Sequence, residues 1–409
     1  MSQVKRINPH KIPDELVNNE ALNHIIQTLL PKNYNFEVHK SIWRIKCLKA
    51  KHVALQMPEG LLLFATALSE IFKEFGKTDE NESIEITILG DVTYGACCVD
   101  DFTAKALDVD LMVHYGHSCL IPLQSLSILY VFVTIDFDLK HFVDTVKKHF
   151  KVEQHFALVG TIQFVTSIQQ AKAALGECGY RIFVPQCMPL SPGEILGCTS
   201  PKIEDCEFFI YLGDGRFHLE SAMIANPRLP AYQYDPYSKK FTTEGYDHKQ
   251  MRRNRRAAIQ VASKARTFGI ILGTLGRQGN PKILDLIRKT ITDQGKESFV
   301  LLLSEIFPSK LALFGESVDC WVQIACPRLS IDWGTEFDKP ILTPYEASVA
   351  LGIARSWDAD LEQYTGDSIV PPLDEKVSYP MDFYAYESRG PWTPNHPENR
   401  PQLKSKPIV

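Results

Sequence analysis

Apolar residues along this chain gather in short unbroken runs, and the runs recur in the same order three times. The first set is HVALQ (52–56), HFALVG (155–160) and TFGIILG (267–273), each followed by a loop and an amphipathic helical pattern. A second set follows those helices at IEITILG (84–90), YRIFVP (180–185) and SFVLLLSEI (298–306), and a third lies at DLMVHYG (110–116), EFFIYLG (207–213) and CWVQIAC (320–326). Strands apolar on both faces that alternate with helices belong to parallel sheets, because crossover helices bury each face. YVFVTI (130–135), AYQYDP (231–236) and KPILTP (339–344) supply a fourth strand to each repeat. The pattern therefore predicts an α/β protein of three related βαβαβ domains with small parallel sheets. The first strands start 103 and 112 residues apart, a domain triplication rather than a solenoid, whose repeats run roughly 20 to 50 residues.

The expected organisation is an N-terminal extension (1–44), α/β domains over 45–150, 151–264 and 265–366, and an aromatic, proline-rich tail (367–409). The second domain closes on a basic segment, DHKQMRRNRRAAIQVASKAR (247–266). It reads as a connecting helix with one solvated positive face rather than as a nucleic-acid or nuclear-import element. In the tail, YPMDFYAYESRGPWTPNHP (379–397) carries too many aromatic residues for free solvation and predicts docking on the body or on a partner.

Composition adds mainly exclusions. A 409-residue chain with 44% hydrophobic and 23% charged residues has ample core, and a net charge of −5 gives no electrostatic reason to expect nucleic acid as the main partner. The amino-terminal segment lacks the apolar core of a secretory signal, and no later segment supplies the roughly 18 apolar residues of a membrane helix. A cytosolic protein without membrane contact is expected. Its ten cysteines then point to metal ligation, catalysis or burial rather than disulfides. Cys47, Cys178, Cys206 and Cys320 are expected to be buried bystanders.

Three other cysteines occupy strand ends, one per repeat: Cys97 in YGACCVDD, Cys198 in PGEILGCTSP and Cys326 in QIACPRLSIDWG. Cys97 and Cys198 follow a second strand, whereas Cys326 ends a third strand, where the other repeats carry His114 to His117 and Gly213 to Gly215. Ligands of parallel α/β sheets gather beyond the carboxyl ends of the strands. Pseudo-threefold packing of the domains would bring the three thiols to one centre. Zinc, an iron–sulfur cluster or simple burial all remain open on spacing alone. Structural zinc takes four ligands, with cysteine pairs on tight knuckles, and no CxxC occurs here. A 4Fe-4S cluster on three thiolates leaves one iron free for a substrate. The loops GDVTYGACCVDD, HYGHSCL, YLGDGRFHLES and ACPRLSIDWG concentrate Gly, His, Asp and Arg at these ends, and glycine there admits close approach of backbone N–H groups to a ligand.

These motifs resemble those of the 2-(3-amino-3-carboxypropyl)histidine synthase family, the diphthamide synthases, in its eukaryotic catalytic branch. The likeness runs over about residues 45–350 and into the tail motif YPMDFYA (379–385). The resemblance implies a non-conventional radical S-adenosylmethionine (SAM) enzyme of three α/β domains, with Cys97, Cys198 and Cys326 holding a 4Fe-4S cluster. The pattern YGAC selects Cys97 over its neighbour Cys98. The implied reaction begins with electron transfer from the reduced cluster to SAM bound at the open iron. The bond from sulfur to the methionine γ-carbon breaks, giving methylthioadenosine and a 3-amino-3-carboxypropyl radical that adds to imidazole C2 of one histidine in translation elongation factor 2. The CxxxCxxC triad usual in radical SAM enzymes is absent, as suits ligands drawn from three domains. The resemblance further implies a heterodimer with a paralogous second subunit and an accessory electron-donor protein.

Physical reasoning assigns roles to the neighbours. Arg328 is expected to pair with the SAM carboxylate as a fixed guanidinium fork, or else to form an ordinary surface salt bridge. Gly213, Asp214 and Gly215 are expected at the ribose or amino group, with a plain turn as the alternative. His114 and His117 line the same cavity or are satisfied core histidines, and Asp91 is similarly open. Ser304 and Glu305 contact substrate or cap the next helix. Two other function classes stand beside this one: a quinolinate-synthase-like enzyme using the open iron as a Lewis acid, and a non-catalytic subunit holding a cluster or zinc.

Overall fold

His52–Gln56 is the second strand in a four-stranded parallel sheet, flanked by Glu85–Leu89 on one side and by Leu111–Tyr115, then Ser127–Val131, on the other. Val53, Ala54 and Leu55 are all buried, which is why the run has no polar alternation. The same order, second–first–third–fourth, recurs in two further sheets. One is built of Arg181–Phe183, His155–Gly160, Phe208–Leu212 and Ala231–Asp235, the other of Glu297–Leu303, Thr267–Gly273, Cys320–Ile324 and Ile341–Leu342. The computed structural model that gives this architecture describes residues 11–78, 83–90, 98–116, 120, 123, 126–357 and 378–399. Three parallel sheets of one topology make the protein α/β with repeated βαβ units.

Differences from the sequence pattern have local causes. The second sheet gains a fifth strand, Lys240–Glu244, antiparallel to Ala231–Asp235. Its sequence KFTTE is largely exposed and carries no apolar run, so periodicity alone misses it. The hairpin is fixed by its turn: the Asp235 carboxylate accepts from the Tyr237 amide at 2.9 Å, and Lys239 takes a positive φ of 53°. In the third sheet Gly269 lies opposite Trp321, the largest fully buried side chain, and a Cβ there would overlap the indole. Helix Pro281–Asp293 starts from Asn280, whose side chain accepts from the Lys282 amide, and buries Ile283, Ile287 and Ile291, four residues apart, against that sheet.

The chain divides into two compact units, 1–137 and 138–409. Helix Leu139–His149, expected in the first domain, belongs to the second unit, where Phe142 packs on Tyr234 with ring centroids 4.9 Å apart. The second unit thus contains the second and third sheets. Among the described residues no helix is long and apolar enough to cross a membrane. Of the four cysteines expected to be buried, Cys320 is; Cys178 is exposed at a helix end, and Cys47 and Cys206 are half-buried.

The basic linker is a helix, His248–Ser263, but it is not simply solvated. Arg253 and Arg256 face water, whereas Arg255 is fully buried and forks onto Glu346, Nε to Oε1 at 2.7 Å and Nη2 to Oε2 at 2.6 Å. Glu346 also accepts from the Thr343 amide and from the Tyr379 hydroxyl, both at 2.9 Å. Through Tyr379 the described part of the tail, 378–399, is tied to the body. Trp392 packs on Tyr345 with centroids 5.6 Å apart, and the Ser200 amide donates to the Met381 carbonyl at 2.8 Å. Docking on the body is the outcome of the tail's aromatic composition.

At the start of the linker helix, burial and then the charge of Arg252 lower the His248 pKa from 6.5 to about 4. The unfolded chain therefore takes up this proton at a higher pH than the native one, so His248 withdraws stability as pH falls from 6.5 towards 4 and has no effect above that window. His248→Gln is expected to flatten the fall of the melting temperature between about pH 7 and 4.5. Superimposable profiles for the two proteins would refute the assignment.

Candidate metal centre

Cys198 sits in a tight turn. The Leu196 amide donates to the Thr199 carbonyl at 2.8 Å and the Thr199 amide returns a bond to Leu196 at 3.3 Å, so Gly197 and Cys198 form the tip. The segment leading into the turn is pinned to the end of the strand His155–Gly160, with the Ile195 amide donating to the Gly160 carbonyl at 3.0 Å. Cys326 caps the helix Pro327–Trp333, and Pro327 at the first helical position fixes its exit direction. The Gln323 side-chain amide donates to the Cys326 carbonyl at 2.9 Å and to the Ser330 hydroxyl at 3.0 Å, tying strand, cysteine and helix together.

These two cysteines come from different repeats, and their segments are joined by Arg328, whose Nη1 donates to the Gly197 carbonyl at 3.2 Å. Burial pushes the Cys198 thiol far up, the neighbouring charge of Cys326 pushes it further, and the Thr199 hydroxyl and Arg328 pull weakly the other way. Cys198 is buried and Cys326 half-buried, and their sulfurs are soft donors of the kind that suit zinc or iron–sulfur chemistry. A cation bound there would displace the thiol protons. The pair fits a metal group held by thiolates. Among the described residues no set of three His, Cys, Asp or Glu side chains gathers at metal-binding range. Cys97 lies outside the described residues, as do His117 and Asp91.

Arg328 is not the open fork expected from its position. Its side chain is 2% exposed and every nitrogen is engaged within the protein. Nε donates to both Asp332 oxygens at 2.9 Å, Nη2 to Glu220 at 2.6 Å, and Nη1 to the carbonyls of Phe217 at 2.6 Å and Gly197 at 3.2 Å. Burial opposes the charge, and Asp332 and Glu220 more than offset it, so its pKa rises. The guanidinium also lies 4.5 Å from the Phe217 ring centroid, and a Cβ on Gly197 would overlap that same ring.

Other expected site residues divide between strand-end loops. Gly213 and Gly215 follow the strand Phe208–Leu212, and their carbonyls accept from the Gln233 amide at 2.9 and 3.1 Å. Gly215 has φ of 64°, a conformation that favours glycine. Asp214 is exposed, while its carbonyl accepts from the Tyr211 hydroxyl at 3.1 Å. In the first unit His114 is fully buried, its Nδ1 2.8 Å from Gln56 Oε1, and its ring packs edge-on against Tyr130 at 5.5 Å. The Gln56 amide donates to the carbonyl of Cys98, a buried residue that adjoins Cys97. Glu305 is exposed and lies 3.8 Å from Lys310, and the helix Pro308–Ala312 has no side-chain cap.

Sequence reasoning missed a device common to all three sheets. Gln56, Gln233 and Gln323 are strand amides that donate to carbonyls of the ligand-side loops. The signal was an isolated amide in an otherwise apolar strand, as in HVALQ and CWVQI. The tail supplies a second unforeseen part. Phe383 donates its amide to the Cys198 carbonyl at 3.3 Å, Tyr384 its amide to the Thr199 hydroxyl at 2.9 Å, and a cleft beside Cys198 is lined by Pro327, Tyr379, Met381, Asp382 and Phe383. Burial raises the Asp382 carboxyl, against the pull of the Arg389 amide at 2.8 Å.

Comparison with known proteins identifies the family. A family model described as "Putative diphthamide synthesis protein" matches residues 57–362. The 2-(3-amino-3-carboxypropyl)histidine synthase subunit 1 of Schizosaccharomyces pombe is 52% identical over 96% of this chain and 86% of its own. The Homo sapiens protein of the same name is 54% identical over 97% of this chain and 86% of its own. Among solved structures, Dph2 from Pyrococcus horikoshii superimposes with a TM-score of 0.65 at 26% identity, over 79% of this chain and 92% of that one. The form with a 4Fe-4S cluster gives 0.64 at 25% identity, over 78% and 92%. By sequence match over most of its length and by the repeated α/β architecture, this chain belongs to the diphthamide synthesis protein family.

Proposed function

We propose that this chain is the cluster-bearing subunit of the enzyme that begins diphthamide formation, transferring the 3-amino-3-carboxypropyl group of SAM to imidazole C2 of a histidine in translation elongation factor 2. The observation that carries the reading is that Cys198, in a turn pinned to the end of the strand His155–Gly160, and Cys326, just past the strand Cys320–Ile324, come from two repeats whose segments Arg328 ties together. Cys97 would complete the ligand set from the first repeat, so that the domains over 45–150, 151–264 and 265–366 each give one thiolate around a 4Fe-4S cluster. The archaeal neighbour with such a cluster supports the choice of metal group. When bound, that group would supply one electron for breaking the bond from the SAM sulfonium to the methionine γ-carbon.

The remaining work falls to this chain's own residues. Met381 and Phe383 of the tail, with Pro327, give the cleft beside Cys198 an apolar wall. Asp214, exposed at its strand end, is free to accept from a ribose hydroxyl or an ammonium group. Arg328 has its donors committed inside the protein, so recognition of the SAM carboxylate falls to other groups. The subunit numbering of the relatives supports a second, paralogous subunit, and a cytoplasmic heterodimer served by an electron-donor protein follows from this reading. A quinolinate-synthase-like Lewis-acid cluster enzyme or a non-catalytic partner subunit holding a cluster or zinc would share the thiol pair but not the product.

Anaerobically purified protein is expected to be brown and to carry iron. With its second subunit, a reductant and SAM it is expected to add the aminocarboxypropyl mass to a single histidine peptide of elongation factor 2. Colourless protein with stoichiometric zinc would overturn the reading.

A further inference from the structure

We propose that Arg328 is a positioning residue that sets the separation of Cys198 and Cys326 so that both thiolates reach one metal group. This rests on the reading that the two cysteines hold a cluster. The route between the thiols is short. Arg328 follows Cys326 with only Pro327 between them, and its Nη1 donates to the carbonyl of Gly197, the residue before Cys198. Pro327 fixes one backbone torsion of that route, and the planar guanidinium fixes the angle between its two carbonyl acceptors, Gly197 and Phe217.

The far side of the fork is braced as firmly. Asp332, one helical turn on, takes Nε through both oxygens, and Glu220 takes Nη2 from the neighbouring repeat. Glu220 is itself held by Arg216, 3.3 Å away, and Arg216 pairs in turn with Glu244. The Phe217 ring lies under the guanidinium and against Gly197, leaving no room for a side chain at Gly197. An ordinary fold strut could join the two repeats anywhere along their contact. This one acts on the peptide group that carries Cys198 and on the helix that Cys326 caps. Lysine would keep the charge but, as a point donor, could not hold two carbonyls at a set angle while bracing against two carboxylates.

The test compares wild type with R328K and with the double variant R328Q/E220Q, which removes the charge together with one of its counter-charges. Folding of the apo-proteins is followed by near-ultraviolet circular dichroism. Both variants are expected to fold and to lose iron to a chelator about tenfold faster than wild type or more, as for other groups that orient metal ligands. A second readout needs no iron. Phenylarsine oxide, which bridges two thiols only when they are close, is expected to link Cys198 and Cys326 in wild-type apo-protein, as read by peptide mass, and to fail in both variants.

If the folded variants keep iron and bridging at wild-type rates, Arg328 does not position the ligands. The positioning role is equally overturned if neither variant folds, since Arg328 is then a strut of the fold, or if wild type itself is not bridged. Wild type that takes up no iron, yet is bridged where the variants are not, would defeat the cluster reading and leave the positioning role standing.

Discussion

Cys198→Ala is expected to leave a folded protein that binds no iron and transfers no aminocarboxypropyl group. The side chain removed is small and buried, so the stability loss is about 1 kcal/mol, while the metal group loses one of its three proposed thiolates. Cys320→Ala provides the matched control. Cys320 is equally a buried thiol whose pKa is pushed up by burial, but it lies within the third sheet, at the start of the strand Cys320–Ile324. It should cost similar stability and leave iron content unchanged. Iron content in Cys198→Ala equal to that of the Cys320→Ala control would remove Cys198 from the site.

The second large effect is on stability and lies away from the thiols. Arg255→Met keeps volume but leaves the Glu346 carboxylate buried with, among the described residues, the Tyr379 hydroxyl and the Thr343 amide as donors. Leaving one member of a buried pair uncompensated costs about 3–5 kcal/mol, a fall of roughly 10 °C in melting temperature for a unit of this size. The double variant Arg255→Met/Glu346→Gln should recover much of that loss, because no buried charge then remains. Tyr379 bonds the same carboxylate, so the single variant should also expose the 378–399 segment to proteolysis. A single-variant loss below about 1 kcal/mol would mean that the pair is worth no more than a surface salt bridge.

Much of the fold was legible because the central strands are apolar on both faces. HVALQ, HFALVG and TFGIILG coincide with His52–Gln56, His155–Gly160 and Thr267–Gly273. Outer strands were less well bounded: the run 180–185 shortens to Arg181–Phe183 and the run 339–344 to Ile341–Leu342, since such strands end where their single neighbour stops pairing. The strand Lys240–Glu244 was invisible because its stability comes from a turn and a partner rather than from burial.

Around the thiols the limits were of another kind. Position alone brought Cys198 and Cys326 to strand ends. The occupation of Arg328 depends on Glu220 and Phe217, 108 and 111 residues away in sequence, which no local pattern reveals. The tail's aromatic residues announced that it docks, but not that Tyr379 would share Glu346 with a buried arginine of the basic linker. The strand glutamines are polar interruptions of apolar runs, a sign that a loop carbonyl beyond the sheet needs a donor.

The most direct test of the central claim is the identity of the nucleoside released from SAM. Iron-loaded protein with its second subunit, reduced with dithionite in the presence of elongation factor 2, is expected to release methylthioadenosine in step with modified histidine. Release of 5′-deoxyadenosine instead, or intact SAM beside a reduced and fully loaded cluster, would contradict it.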